Sequence, residues 1–299
     1  QILFMKYLFF SLFLVLNVSS FAQVEVVVTL KNKSFSIGEV PAFVSVIPQG
    51  DYAQVKKDWE RYLGKNTKEK PTEVKGEIII TNKEYEKISA TALTIYSYLK
   101  EYDGKLMLAC AFQLNEQFIS REMDEEIYLP AKKYLRDFVV ETYKNAVSDQ
   151  LKIEEKVLKK LEVEKLRLMR SKESVLLEIK QLDRAILTKK DQTTLNKIDQ
   201  SNKVIQMQAQ KQLVLKLANA GEKEKDEAQK ILKELERDFK KLQKQYEGLH
   251  QDINHKESYI RQSEVGIAKL EGEVKFIQLD IEDQGYQLRK IQQKLDGIQ

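Results

Sequence analysis

Few side chains in this 299-residue sequence could carry covalent, acid-base or metal chemistry: one cysteine, two histidines and scattered carboxylates. Cys110 lies in the apolar run Leu106-Met107-Leu108-Ala109-Cys110-Ala111-Phe112. A reactive thiolate needs a neighbouring cation and some exposure, so Cys110 reads as a small buried hydrophobe. His250 and His255 are five residues apart on a helical stretch, about 140° round the axis, and do not face one ligand. With a single Cys they are also too few for a zinc site built from Cys and His. Asp51, Asp58 and Glu60 offer carboxylates, but acid-base work needs a pair held across a cleft with separated pKa values. Asp51 is better explained as a helix cap and the other two as a solvated helix face. No Gly-x-Ser-x-Gly elbow, phosphate-cradling Gly-rich loop or Cys-x-x-Cys is present. The expectation is therefore no enzyme, no catalytic residue, no cofactor and no metal. Lys56 to Lys75 carries seven Lys plus Arg against four acids, with Trp59 and Tyr62 interleaved. It has the composition of an anion site but reads as a solvated loop beside a core helix.

The elements behind these residues follow from charge and proline placement. Lys plus Arg number 50 against 46 Asp plus Glu, a dense mixture of both signs that argues against a dedicated nucleic-acid binder. Lys6, the apolar run Tyr7 to Leu16, and small residues at Ser20 and Ala22 have the order of a secretory signal peptide cleaved before Gln23. The apolar part is shorter than the ~20 residues that span a bilayer. Residues 1–22 are thus read as upstream residues and a signal, Gln1 to Phe4 preceding a natural start at Met5. A periplasmic or secreted protein with no transmembrane segment after cleavage is expected.

Residues 23–129 are expected to form a compact α+β domain, a mainly antiparallel sheet covered by one helix. Strands are predicted at Val24 to Leu30, Phe43 to Ile47, Gly76 to Thr81, Ala92 to Tyr102 and Lys105 to Leu114. Lys31 to Ser34 reads as a turn, and Asp103-Gly104 as a tight hairpin turn with positive φ angles. Asp51 caps a helix in which Tyr52, Val55, Trp59 and Tyr62 recur at helical spacing. Both faces of the last strand are weakly polar, so a second cover is expected from Tyr134, Leu135, Phe138 and Val139.

All four prolines lie at or before Pro130, so residues 130–299 can be long helix, with Pro130 in its first turn. Leu151, Leu158, Leu161, Leu168, Val175, Ile179, Leu182 and Ile186 follow alternating heptad positions, interrupted by Glu154, Lys165 and Lys172. Between Lys189 and Lys203 the apolar pattern loses phase, which predicts a stutter, kink or short loop. A turn is expected near residues 219–222, with Gly221 in the left-handed conformation that ends helices. From Leu232 to Ile298 seventeen of twenty a and d positions are apolar, the signature of a coiled coil. The similar lengths either side of Gly221 favour an antiparallel hairpin, a parallel oligomer being the competitor.

Outside that seam, Val265, Ala268, Gly272, Phe276, Leu279 and Tyr286 form a second stripe at helical spacing, the candidate partner-binding face. Its occupant is a protein partner, or a further helix of the same chain or oligomer. These features point to an exported cell-envelope scaffold that uses a coiled coil for assembly or partner binding, with an envelope component as a further possible ligand. The plan of signal peptide, small β-containing domain and helical arms also resembles that of the periplasmic holdase chaperone Skp, a likeness of architecture alone. A third reading is a fragment of an envelope enzyme or activator whose working domain lies beyond Gln299.

Overall fold

Asp51 has extended backbone and its side chain accepts a hydrogen bond from Gln54 N at 2.9 Å, closing the first turn of helix α1, Tyr52–Leu63. Val55, Trp59 and Leu63, each four residues apart, are its buried side chains. The computed structural model describes residues 25–86, 88–217 and 221–299. The signal peptide, Val24 of the first predicted strand and Asn219-Ala220 of the predicted turn lie outside the described residues.

Among the described residues, seven strands form one antiparallel sheet: β1 Val28–Phe35, β2 Gly38–Ile47, β3 Thr72–Val74, β4 Glu77–Tyr85, β5 Ser89–Tyr102, β6 Lys105–Leu114 and β7 Gln117–Phe118. The order is β1-β2-β6-β5-β4-β3, with β7 also pairing β6. Asp103 and Gly104 have φ of 50° and 67°, the two positive angles that a two-residue hairpin between β5 and β6 requires. The first strand differs from expectation. Lys31 to Ser34 is strand, paired with Glu39 to Ala42, and the chain reverses at Ser36-Ile37. Exposed polar residues on an edge strand have the composition of a turn without its geometry.

The helix α2, Glu125–Lys216, begins five residues before Pro130. Asp124 O accepts from Ile127 N and Tyr128 N, both at 3.0 Å, and Glu125 and Glu126 suit the positive end of the helix dipole. Pro130 therefore sits beyond the first turn. Tyr134, Leu135, Phe138 and Val139 are buried in the sheet's main core, but in the same cluster as Val55, Trp59 and Leu63. The expected second cover thus lies on the face that α1 already covers. Phe138 meets the Trp59 ring edge-on at 4.7 Å.

The opposite face is closed by the sheet itself. β2 pairs with β6 only through Phe43 to Ile47; Pro41, with no N–H for a ladder, lies just outside that pairing. The outer part of the β1-β2 hairpin folds across the sheet, because Phe35 reaches Tyr98 of β5 at 5.1 Å. Ser36 N and Oγ donate to Glu77 of β4 at 2.6 and 2.7 Å. In a flat sheet β1 and β4 would be about 19 Å apart, four strand spacings. Ala42, Ala109 and Ala111 form the floor of the small core beneath the hairpin, where larger side chains would hold it off.

The helix α3, Glu222–Asp296, completes the fold. The Gly221 carbonyl accepts from Glu224 N at 3.2 Å and so starts α3. By packing, the chain divides into two compact units, Gln1–Leu158 with Asp283–Gln299, and Lys159–Glu282. In the first, Tyr143, Val147, Ile291 and Ile298 form a buried cluster. Lys294 Nζ donates to Gln49 Oε1 at 2.8 Å, Gln49 Nε2 donates to Gln150 at 3.1 Å, and Val26 N donates to Gln299 O at 3.4 Å. The second unit is an antiparallel pair of helices: partners descend along α3 as they ascend along α2, from Lys165 with Gln278 to Gln210 with Ala228.

Tyr62 and Tyr134 donate their hydroxyls to each other's main-chain carbonyls at 3.3 and 3.4 Å, and burial pushes both phenols well above their ordinary pKa. Their unfolded counterparts ionise near pH 10, so the stability they contribute is complete below pH 10 and lost above it. Lys83, whose ammonium donates to the Lys65 carbonyl, is pushed down by burial and acts with the opposite sign. The expected result is a urea midpoint that falls above pH 10 less steeply in Tyr62→Phe than in the parent. Equal slopes would count against this assignment.

Candidate functional site

The groups with chemical potential are engaged structurally. Cys110 is fully buried and its thiol is pushed far up by desolvation, the opposite of what a nucleophile needs. His250 stacks on Tyr246 at 5.3 Å, while Asp58 accepts from Gln54 and pairs with Arg61. Within the basic stretch, Lys56 pairs with Glu73 at 2.7 Å, and that hydrogen bond raises its pKa. Among the described residues no group of three or more His, Cys, Asp or Glu could hold a metal ion. Among those residues, too, no helix is long and apolar enough to cross a membrane.

What the helices offer is surface. In α3 every predicted a and d position from Leu232 to Leu295 is half-buried or buried, and α2 supplies the facing series without a break in phase. From Leu168 that series runs 172, 175, 179, 182, 186, 189, 193, 196, 200 and 203, alternating steps of four and three. The predicted stutter, kink or loop between Lys189 and Lys203 is therefore absent. The helix is continuous, and only the hydrophobicity of its seam lapses. Lys189 pairs with Asp252 at 2.6 Å, Asn196 donates to Gln245 at 3.5 Å, and Lys203 pairs with Asp238 at 3.5 Å. The hydrogen bond from Lys189 holds the Asp252 carboxyl below its usual value.

The other polar interruptions are matched in the same way. Lys172 meets Glu271 at 2.6 Å, Lys165 donates to Gln278 at 2.6 Å, and in the first unit Gln284 Nε2 donates to Glu154 Oε2 at 2.7 Å. A sliding apolar seam tolerates several registers, whereas unlike partners placed at intervals tolerate one. The departures from the heptad thus fix how the two helices align.

Outside this seam, α3 exposes the second stripe. Val265 is 72%, Phe276 70% and Leu279 53% exposed; Ala268 is exposed and Gly272 half-buried on the same side of the second unit. Tyr286 belongs to the first unit, where Lys290 Nζ lies 4.3 Å from its ring. α2 exposes a comparable set that the sequence analysis does not include, with Leu166, Leu195 and Ile205 among it. Its signal was available as a second apolar period, hidden because it runs interleaved with the seam series. Comparisons with protein-family models, curated proteins and solved structures return no match.

Proposed function

We infer that this chain is an exported cell-envelope scaffold whose coiled-coil hairpin presents an apolar face to a protein partner. The observation that carries the reading is the exposure of Val265, Phe276 and Leu279 on a helix whose seam residues are already covered by α2. Burying three such side chains contributes roughly 1.5 to 3 kcal/mol each, enough to hold a partner. The Lys6 to Ala22 segment supports export, and purification from the periplasm or medium with Gln23 as first residue is its check.

Replacing Phe276 and Leu279 together by Ser is expected to leave helicity and melting unchanged. In pull-downs from intact envelopes the parent should recover one or two stoichiometric partners that the variant loses. Retention of those partners would remove the stripe from the reading, and loss of melting temperature would make it internal packing. A Skp-like holdase is the second reading, supported by exposed large apolar residues on both helices, such as Leu187, Leu215 and Phe276. It predicts many unfolded clients in place of a few stoichiometric ones.

A further inference from the structure

One exposed strip on α2 matches itself when reversed at three of its six pairs, two aliphatic and one of opposite charge. From Leu166 to Ile205 one strip among the exposed positions, 166, 169, 173, 176, 180, 184, 187, 191, 195, 198, 202 and 205, advances by 3, 4, 3, 4, 4, 3, 4, 4, 3, 4 and 3, the same read from either end. All twelve lie within the second unit. Their mean advance is close to the roughly 3.5 residues that lets two helices stay in contact along their length. A palindromic series has a centre, between Ala185 and Ile186, and reversal about that centre maps Leu166 onto Ile205, Leu176 onto Leu195, and Lys180 onto Asp191.

We propose that a second copy of this chain docks antiparallel along this face of α2, related to the first by a two-fold axis passing between Ala185 and Ile186. Charge selects this arrangement. In a parallel pair Glu173, Lys180, Arg184 and Asp191, all exposed, would each face its own copy. In the antiparallel pair Lys180 faces the partner's Asp191 twice, once on each side of the axis. Glu173 and Arg184 then face Ile198 and Leu187, where long side chains can lay their stems on aliphatic surface and keep the charge in water.

Size is sufficient. The series spans about 60 Å of helix at 1.5 Å per residue, and a strip about 10 Å wide gives roughly 600 Å² on each copy. The total of about 1,200 Å² reaches the range of specific interfaces. This inference concerns α2 and stands apart from the partner stripe on α3, so the two can fail separately.

The test is sedimentation equilibrium of the purified full chain with no other protein present. The parent is expected to dimerise. Lys180→Asp and Asp191→Lys each place two like pairs across the axis and should weaken the dimer roughly tenfold or more at low salt. Mixing the two variants restores opposite charges at both contacts, so the heterodimer should return to parental affinity. Leu176→Cys mixed with Leu195→Cys should give a disulfide-linked dimer that Leu176→Cys alone does not; Cys110, fully buried, needs no replacement. Phe276→Ser with Leu279→Ser should dimerise like the parent. A parent that is monomeric at every concentration, a Lys180→Asp variant as tightly paired as the parent, a mixture that fails to recover, cross-linking of Leu176→Cys with itself, or loss of the dimer in the α3 variant each overturns the proposal.

Discussion

A chain ending at Met123 is expected to lose cooperative folding altogether. It would keep every strand and α1, yet it would lack Tyr134, Leu135, Phe138 and Val139, all buried in the same core as Trp59, Leu108 and Phe112. At roughly 1.5 to 3 kcal/mol for each large buried side chain, their loss removes about 6 to 12 kcal/mol. Whole domains are stable by about 5 to 15 kcal/mol. The circular dichroism melt of this truncation should show no sigmoidal transition, whereas a chain continued to Leu158 should regain one. An unchanged melt after truncation at Met123 would mean that the start of α2 is an attachment to a core complete without it.

The second large effect is expected at Trp59. Its ring is fully buried, stacked against Tyr62 at 5.8 Å and edge-on to Phe138 at 4.7 Å. Its Nε1 donates to Ser97 Oγ at 2.7 Å, and that hydroxyl donates on to Ile78 O at 2.9 Å. Trp59→Ala should cost about 3 to 5 kcal/mol in urea unfolding, from lost transfer and a residual cavity. Ser97→Ala removes little volume but leaves the indole N–H unpaired and buried, at a cost of about 1 to 3 kcal/mol. Because both changes break one contact, the double variant should be less destabilised than the sum of the singles. Strict additivity would show that the Trp59 to Ser97 hydrogen bond contributes nothing.

Legibility in the sequence depended on whether a signal was local. Asp51 and the Val55, Trp59 spacing specify α1 within a dozen residues, and Asp103-Gly104 specifies its hairpin within two, so both could be read. The edge strand β1 could not, because Lys31, Asn32 and Lys33 are polar where solvent touches the edge and resemble a turn. That both helices cover one sheet face was also hidden. Two apolar faces on β6 suggest two covers, but nothing local says that the second is the β1-β2 hairpin folding over Ala109 and Ala111. In the coiled coil, the apolar α3 seam announces itself, while the α2 seam through Lys189, Thr193, Asn196, Gln200 and Lys203 keeps its phase in geometry alone. Those residues make sense only with Asp252, Gln245 and Asp238 opposite them, far away in sequence. The exposed stripe on α3 was readable because its own seam is so regular; the one on α2 was masked by a seam of mixed character.

The first unit is drawn from two stretches of chain, with residues 159 to 282 between them. During synthesis at about 5 to 20 residues per second, Asp283 follows Leu158 by roughly 6 to 25 seconds. For that interval Tyr143 and Val147 lack the Ile291 and Ile298 side chains that bury them. Closing so long a loop as flexible chain would be entropically costly and slow. Helix formation in the intervening residues shortens that search, since each added turn makes its contacts with its neighbours and the connection is no longer a flexible chain. Inside the unit, the hydrogen bond from Gln284 to Glu154 then acts as a vernier during assembly: a slip there would deliver Ile291 and Ile298 a turn away from Tyr143, and the unit would stay open to proteases.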